Sequence, residues 1–300
     1  MTELLLALTL LAVPVPQRGQ APAPPSPGAI DEVVPLGANF DKAEFRLWVP
    51  PSAPTVRGVV VLVPGSNGDG RPMADDKFWQ DFATTEKVAL IGCRITDKPH
   101  DQSFIEEYVD VSKGSGQALL TALDKLAVAA KHSEISRVPL YLWGMSAGGE
   151  FNYEFVAWKP ERVGAFIVNK GGIYYSSLLS KASRAVPGIL FTGDADLDSR
   201  QFTVKGLFGV NRRSGALWAL AEEPGLGHVV GSSQKLGALL FSEVMNAAPA
   251  SVTENAGYLG DIHTFEITKR SDVKAVKDIS SWFLTERLAK AWQEAVKKQP

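Results

Sequence analysis

The sequence predicts an α/β fold with a mostly parallel central sheet covered by helices on both faces. Short apolar runs rich in β-branched residues alternate with longer amphipathic stretches over most of the chain, and repeated strand–helix alternation implies crossover connections and parallel pairing. Runs such as "VVVLV" are apolar at every position, as a strand buried on both faces requires. With 300 residues and 45% hydrophobic content, the chain is long enough for one large core, and a single domain over residues 31–300, C-terminal helices included, is expected.

After its first three residues the chain runs through "LLLALTLLAVPV", an apolar run of signal-peptide length that is too short to span a bilayer, followed by Ala21-Pro22-Ala23. Residues 1–30 read as a signal-like segment and a Pro-rich tether. This predicts export, to the periplasm or the medium, without stable membrane insertion. The opening "MTE" departs from the pattern, with Glu3 and no Lys or Arg. No cysteine precedes Cys93, which leaves no site for a lipoprotein anchor. Residues 17–27 carry no core-forming side chains, so no fold is assigned to them.

"AEFRLWVP" alternates like a surface strand, and "VRGVVVLVPG" follows as a buried strand ending in Pro-Gly. Helical "FWQDFATTE" precedes the strand "VALIGCRI", "GQALLTALDKLAVAAKH" precedes "PLYLWG", and "GEFNYEFVAWKP" precedes "VGAFIVN". A mixed segment leads to "VPGILFTG", and "QFTVKGLFGVNRR" leads to "GALWALAEE". At the C-terminus, "VKAVKDISSWFLTERLAKAWQEAVKK" places Leu284, Leu288, Ala291 and Ala295 at helical spacing and reads as a helix packed on the sheet, with Trp282 and Trp292 as core residues.

Lys and Arg total 31 against 33 acids, the net charge is -2 and the pI is near 6.1. Without a basic block, nucleic-acid binding is excluded, and a small-molecule or neutral polymeric substrate is expected. Cys93 is the only cysteine. It lies inside a strand-like run and reads as a buried, inert thiol.

The stretch "LYLWGMSAGGEFNYEF" carries the first chemical signal. Gly144-Met145-Ser146-Ala147-Gly148 fits G-x-S-x-G between a strand and a helix, where a serine sits on a strained elbow with its hydroxyl presented at the sheet's tip. The helix that follows aims free N–H groups and its positive end at the same place. A serine hydroxyl also needs a base, and the base a carboxylate to orient it. Carboxylates cluster in Gly193-Asp194-Ala195-Asp196-Leu197-Asp198, and a histidine follows in Pro224-Gly225-Leu226-Gly227-His228. Both segments lie at carboxyl ends of expected strands, where function collects in parallel sheets. His100 and His132 precede the nucleophile and His263 lies beyond the expected position of the base. A calcium loop starting at Asp194 fails, because Ser199 and Lys205 stand where Gly and Glu are needed. "PGSNGDG" fails as a phosphate-binding loop, since Arg71 and Pro72 follow Gly70.

Taken together, "VPGSNGDG", "GMSAGG", "TGDAD" and "GLGH", in this order after the right strands, resemble the α/β-hydrolase superfamily, particularly secreted esterases of the dienelactone hydrolase and polyhydroxyalkanoate depolymerase kind. The resemblance covers roughly residues 56–248. It implies Ser146 as nucleophile, Asp196 as orienting acid from its Gly-x-x-Asp spacing, His228 as base, and the backbone N–H groups of Ser66 and Ala147 as the oxyanion hole. Many relatives have His-Gly where this chain has Pro64-Gly65. The function expected is an exported serine esterase acting on a small or polymeric ester through an acyl-enzyme, with no metal or organic cofactor. The alternatives are a serine peptidase of the same fold and a non-catalytic binding protein built on it. The loops "TDKPHDQSFIEEY" and "NKGGIYYSS" are expected to shape the pocket, with Tyr174 and Tyr175 as contacts.

Overall fold

The protein is described by a computed structural model covering residues 24–102, 105–274 and 279–297. The apolar run at the start of the chain lies outside these residues. The main sheet comprises β1 (Ile30–Val34), β2 (Lys42–Trp48), β3 (Val59–Val63), β4 (Ala89–Thr96), β5 (Leu140–Gly144), β6 (Val163–Asn169), β7 (Gly188–Gly193) and β8 (Trp218–Glu223), in spatial order β1-β2-β4-β3-β5-β6-β7-β8. Strands β3 to β8 are mutually parallel, and β2 and β1 extend the sheet antiparallel beyond β4. The six parallel strands coincide with the six strand-like runs that follow "AEFRLWVP" in the sequence.

Helices cover both faces. Along β3, Val59, Val61 and Val63 face a core layer containing Leu119 and Leu123 of α2 (Ser115–Ala129), Phe151 and Phe155 of α3 (Ala147–Trp158), and Val204 of α5 (Asp198–Arg213). Val60 and Leu62 point the other way, toward Trp79 of α1 (Lys77–Glu86), Phe241 of α6 (Ser233–Asn246) and Trp292 of α7 (Glu286–Val296). The two-residue period of the strand thus feeds two separate cores, and each valine or leucine so buried contributes about 1.5–3 kcal/mol. A one-turn helix, α4 (Lys181–Arg184), lies between β6 and β7. Asp76 starts α1 by accepting the Phe78 and Trp79 N–H groups at 3.0 and 3.3 Å.

Three expectations need correction. The "AEFRLWVP" strand is not a surface strand: Ala43, Phe45 and Leu47 are buried, and so is Arg46. The polar residue is tolerated because Arg46 reaches Asp31 of β1 and Asp75, each at 2.7 Å. Within the tether, Ser26 is anchored, its N–H donating to Asp75 Oδ1 at 2.8 Å and its hydroxyl accepting from Gln80 at 3.0 Å.

The C-terminal segment is not helical throughout. Ser280–Phe283 forms β11, which pairs antiparallel with β9 (Tyr258–Asp261), and β10 (Ile267–Lys269) flanks β9 on its other side. "SSWF" has strand-compatible residues and meets its partner through a long connection that no local pattern reveals. Helix α7 begins only after Thr285, whose side chain caps it by accepting the Leu288 N–H at 3.1 Å. Trp282 and Trp292 are buried, as expected. The Trp292 indole donates to the Leu220 carbonyl at 2.6 Å and fastens the helix to the edge of the main sheet.

Candidate active site

Ser146 occupies the turn between β5 and α3 at φ +56, ψ -128, a conformation that L-residues adopt only under strain. The turn is tight because Gly148 lies against the end of β3: a Cβ there would be 2.2 Å from the Val63 carbonyl oxygen. Ser146 stands at the N-cap of α3, yet its hydroxyl caps nothing. Among the described residues Oγ makes no hydrogen bond. Its backbone carbonyl accepts the Gly149 and Glu150 N–H groups instead. The Ala147 N–H, first in the helix, has no acceptor among the described residues, and neither has the Ser66 N–H. Both are open donors beside Ser146, since the loop bearing Ser66 passes so close that a Cβ on Gly65 would stand 3.4 Å from the Ser146 Cβ.

Asp196 and His228 meet in the turns after β7 and β8. His228 Nδ1 lies 2.9 Å from Asp196 Oδ2, with the carboxylate side chain 4% exposed and the imidazole 31%. Burial raises the Asp196 pKa, but hydrogen bonds from His228, the Leu197 N–H and Arg200 outweigh it and hold the carboxyl below its ordinary value. The carboxylate therefore stays ionised at neutral pH. Its neighbours differ: Asp194 accepts the Gly225 N–H at 2.5 Å, closing the base of the histidine loop, and Asp198 opens α5 in its first turn. The structure thus brings two of the sequence-predicted residues into contact and sets Ser146 on its elbow nearby. Ser146 Oγ and the His228 imidazole are not hydrogen-bonded to each other.

The other histidines have separate roles. His100 Nε2 lies 3.5 Å from Asp97 Oδ2, His132 pairs with Glu134 at 2.8 Å, and His263 is exposed in the turn after β9. A cleft of about 370 Å³ opens between the loop bearing Ser66 and Asn67 and the loop after β4, where Asp97, Lys98, His100 and Glu106 line it; Ser146 and His228 are not among its lining residues. Tyr175 is exposed, but the Tyr174 hydroxyl is turned inward and its ring packs edge-on against Tyr153, with centroids 5.1 Å apart. Tyr174 therefore is not a pocket contact.

Sequence reasoning missed the residues behind the site. Arg200 holds Asp196; Asn169, Lys170 and Glu223 lie buried at the ends of β6 and β8; and Glu150 of α3 accepts the Gly172 and Ile173 N–H groups at 2.6 and 3.1 Å. The only local signal was the polar pair Asn169-Lys170 closing an apolar strand.

No protein-family model and no curated protein matches the chain. Solved structures do. The LpqC poly(3-hydroxybutyrate) depolymerase from Bordetella parapertussis superposes with a TM-score of 0.53 at 18% identity, over 75% of this chain and 92% of that one. Poly(aspartic acid) hydrolase-1 from Sphingomonas sp. KT-1 gives 0.51 at 15% identity, over 72% and 99%. The expected resemblance is borne out at the level of architecture: the chain has the α/β-hydrolase fold.

Proposed function

We propose that this protein is an exported serine hydrolase that cleaves carboxylic esters through Ser146, His228 and Asp196. The observation that carries this reading is the Asp196–His228 hydrogen bond of 2.9 Å, made between turns at the carboxyl ends of adjacent strands. It coexists with a serine held at positive φ at the carboxyl end of a parallel strand. An ionised Asp196 fixes the proton on Nδ1, which leaves Nε2 as the base. Ser146 Oγ, engaged by no other side chain or backbone group among the described residues, is free to give its proton to Nε2 as it attacks the ester carbonyl. Catalytic hydrogen bonds of this kind often tighten only when substrate is bound.

The developing oxyanion is received by the Ser66 and Ala147 N–H groups. His228 then protonates the departing alcohol, and an acyl-enzyme remains on Ser146. Water, deprotonated by His228, attacks the acyl carbonyl, and collapse of the second tetrahedral intermediate frees the acid and the serine. None of these steps calls for a metal or an organic cofactor. An alkoxide is a better leaving group than an amide nitrogen, so two oxyanion donors and a triad suffice without a peptide clamp. The substrate is a small or polymeric ester that enters past the loop after β4. Among the described residues no helix is long and apolar enough to cross a membrane, and the apolar run at the start of the sequence supports export.

A fluorophosphonate probe and a panel of short-chain aryl esters and peptide anilides test the reading. The probe is expected to label the wild type and spare Ser146→Ala, and esters to be turned over faster than anilides. Persistent labelling of the variant removes Ser146 as nucleophile; faster anilide cleavage replaces the esterase by a peptidase.

A further inference from the structure

Three buried polar side chains stand behind the elbow without a step of their own in acyl transfer. Asn169 ends β6, Lys170 follows it at φ +58, and Glu223 ends β8; none is more than 2% exposed. The Lys170 ammonium pairs with the Glu223 carboxylate and donates to Asn169 Oδ1 at 3.1 Å. Desolvation cancels much of the attraction in a fully buried ion pair, so such a pair contributes little net stability. What it orients is more informative.

Asn169 touches both halves of the site. Its backbone carbonyl accepts the Ser146 N–H at 2.7 Å, while its side-chain amide donates to the carbonyls of Val229 and Val230 at 3.4 and 3.0 Å, immediately after His228. An ammonium can only donate, so Lys170 fixes which end of the amide is the oxygen and turns Nδ2 toward the histidine loop. Glu223 secures that loop further on: its Oε1 accepts the Ser232 N–H and hydroxyl at 2.6 and 2.8 Å. Gly231, at φ +56, passes so near that a Cβ would lie 2.3 Å from the carboxylate. With Asp194 holding Gly225, residues 224–232 are tied at the beginning, middle and end.

We propose that Asn169, Lys170 and Glu223 are positioning residues that set the separation between Ser146 and His228, by tying the elbow and the histidine loop to one buried network. The inference rests on the acyl-transfer reading above. A misplacement of about 1 Å between reacting groups costs on the order of 10² in rate. The Ser146–His228 approach has no hydrogen bond of its own in the resting chain, so the anchors of the loop decide it.

Two variants test this. Asn169→Leu removes the amide at similar volume, and Lys170→Met/Glu223→Leu removes the pair without leaving a lone buried charge. Hydrolysis of 4-nitrophenyl acetate, thermal unfolding, and hydrogen exchange of the 224–232 peptide are measured on each. The expected result is a folded protein with kcat lowered about 10²-fold, KM within about threefold, and faster exchange in 224–232. A folded variant with kcat within about threefold of wild type overturns the proposal. So does a loss of kcat with unchanged exchange in the loop. If either variant fails to fold, Ser232→Ala removes one bond to Glu223 without touching the core; a kcat lowered about threefold supports the network, and an unchanged kcat overturns it. Should the wild type neither hydrolyse the ester nor take the fluorophosphonate label, the ester reading fails by itself. The network is then judged on loop exchange alone, with faster exchange supporting it and unchanged exchange overturning it.

Discussion

Arg200 holds the oxygen of Asp196 that His228 leaves free: its Nη1 donates to Oδ1 at 3.0 Å, while His228 Nδ1 faces Oδ2 at 2.9 Å. The carboxylate is thus oriented from both sides by side chains on different elements. Arg200 is itself partly exposed, so its effect is screened and worth about 1 kcal/mol. Arg200→Met is expected to lower kcat about fivefold with little change in KM, and Arg200→Lys to retain most activity. Steady-state kinetics on a 4-nitrophenyl ester check this; an unchanged kcat in Arg200→Met shows that His228 and the Leu197 N–H orient the acid without Arg200.

The three neighbouring aspartates separate cleanly by partner. Asp196→Asn leaves an amide opposite His228 Nδ1 and favours the wrong tautomer, for which a kcat loss of about 10⁴ is expected. Asp194→Asn keeps a carbonyl oxygen for the Gly225 N–H, and Asp198→Asn removes only a first-turn charge from α5, so each is expected to stay within about tenfold of wild type. Comparable losses at all three positions contradict the assignment of Asp196.

Backbone strain at Ser146 gives a prediction that couples stability to function. Its φ of +56 with ψ of -128 stores on the order of 1–3 kcal/mol, which glycine escapes. Ser146→Gly is therefore expected to raise unfolding stability by about 1 kcal/mol once the extra entropy of an unfolded glycine is deducted. Ser146→Ala keeps the Cβ, and so the strain, and is expected to be neutral to within about 0.5 kcal/mol. On the proposed reading, both variants are expected to lose on the order of 10⁴ to 10⁶ in turnover. Urea unfolding distinguishes them; equal stability of the two removes the strain argument.

What was legible in the sequence follows from how local each signal is. Strands β3 and β5 announce themselves because burial on both faces demands unbroken apolar runs. The elbow does so because only small residues fit where α3 meets β3, which fixes Gly148 close to the serine. The placing of Ser146, Asp196 and His228 just after β5, β7 and β8 follows from the strand ends, while the roles proposed for them rest on the resemblance. Other features depend on partners far along the chain. Lys170 is buried beside Glu223, 53 residues later, which neutralises it, and a polar pair closing an apolar strand does not by itself tell a buried lysine from an exposed one. Arg200 reads as an ordinary charge on an amphipathic helix. Strand β11 exists because β9 is beside it, while its flanks have helical spacing, and the helical reading there was wrong for that reason.

A buried carboxylate in α3 sets a pH dependence of stability that is independent of the reaction. Glu150 is 4% exposed, and burial is the main reason its pKa rises to about 7. The nearby charge of Glu106 pushes in the same direction, while the Gly172 and Ile173 N–H groups and Arg200 oppose it. Its Oε2 has no partner among the described residues. In the unfolded chain the same group titrates near its ordinary 4.5, so between these values the folded protein binds more protons than the unfolded one. The stabilising difference is fully present below about pH 4.5 and is lost as pH rises toward 7. At about 1.4 kcal/mol per pKa unit the loss is of the order of 3 kcal/mol. Glu150→Gln keeps an oxygen for the two N–H groups and removes the titration. Urea unfolding from pH 5 to 8 is expected to show the wild type losing stability on the alkaline side relative to Glu150→Gln, with the two converging toward pH 5. Parallel curves across the range show that Glu150 does not titrate there. Because the carboxylate anchors the segment that follows β6, the same rise in pH is expected to speed hydrogen exchange around residues 171–174 in the wild type more than in the variant.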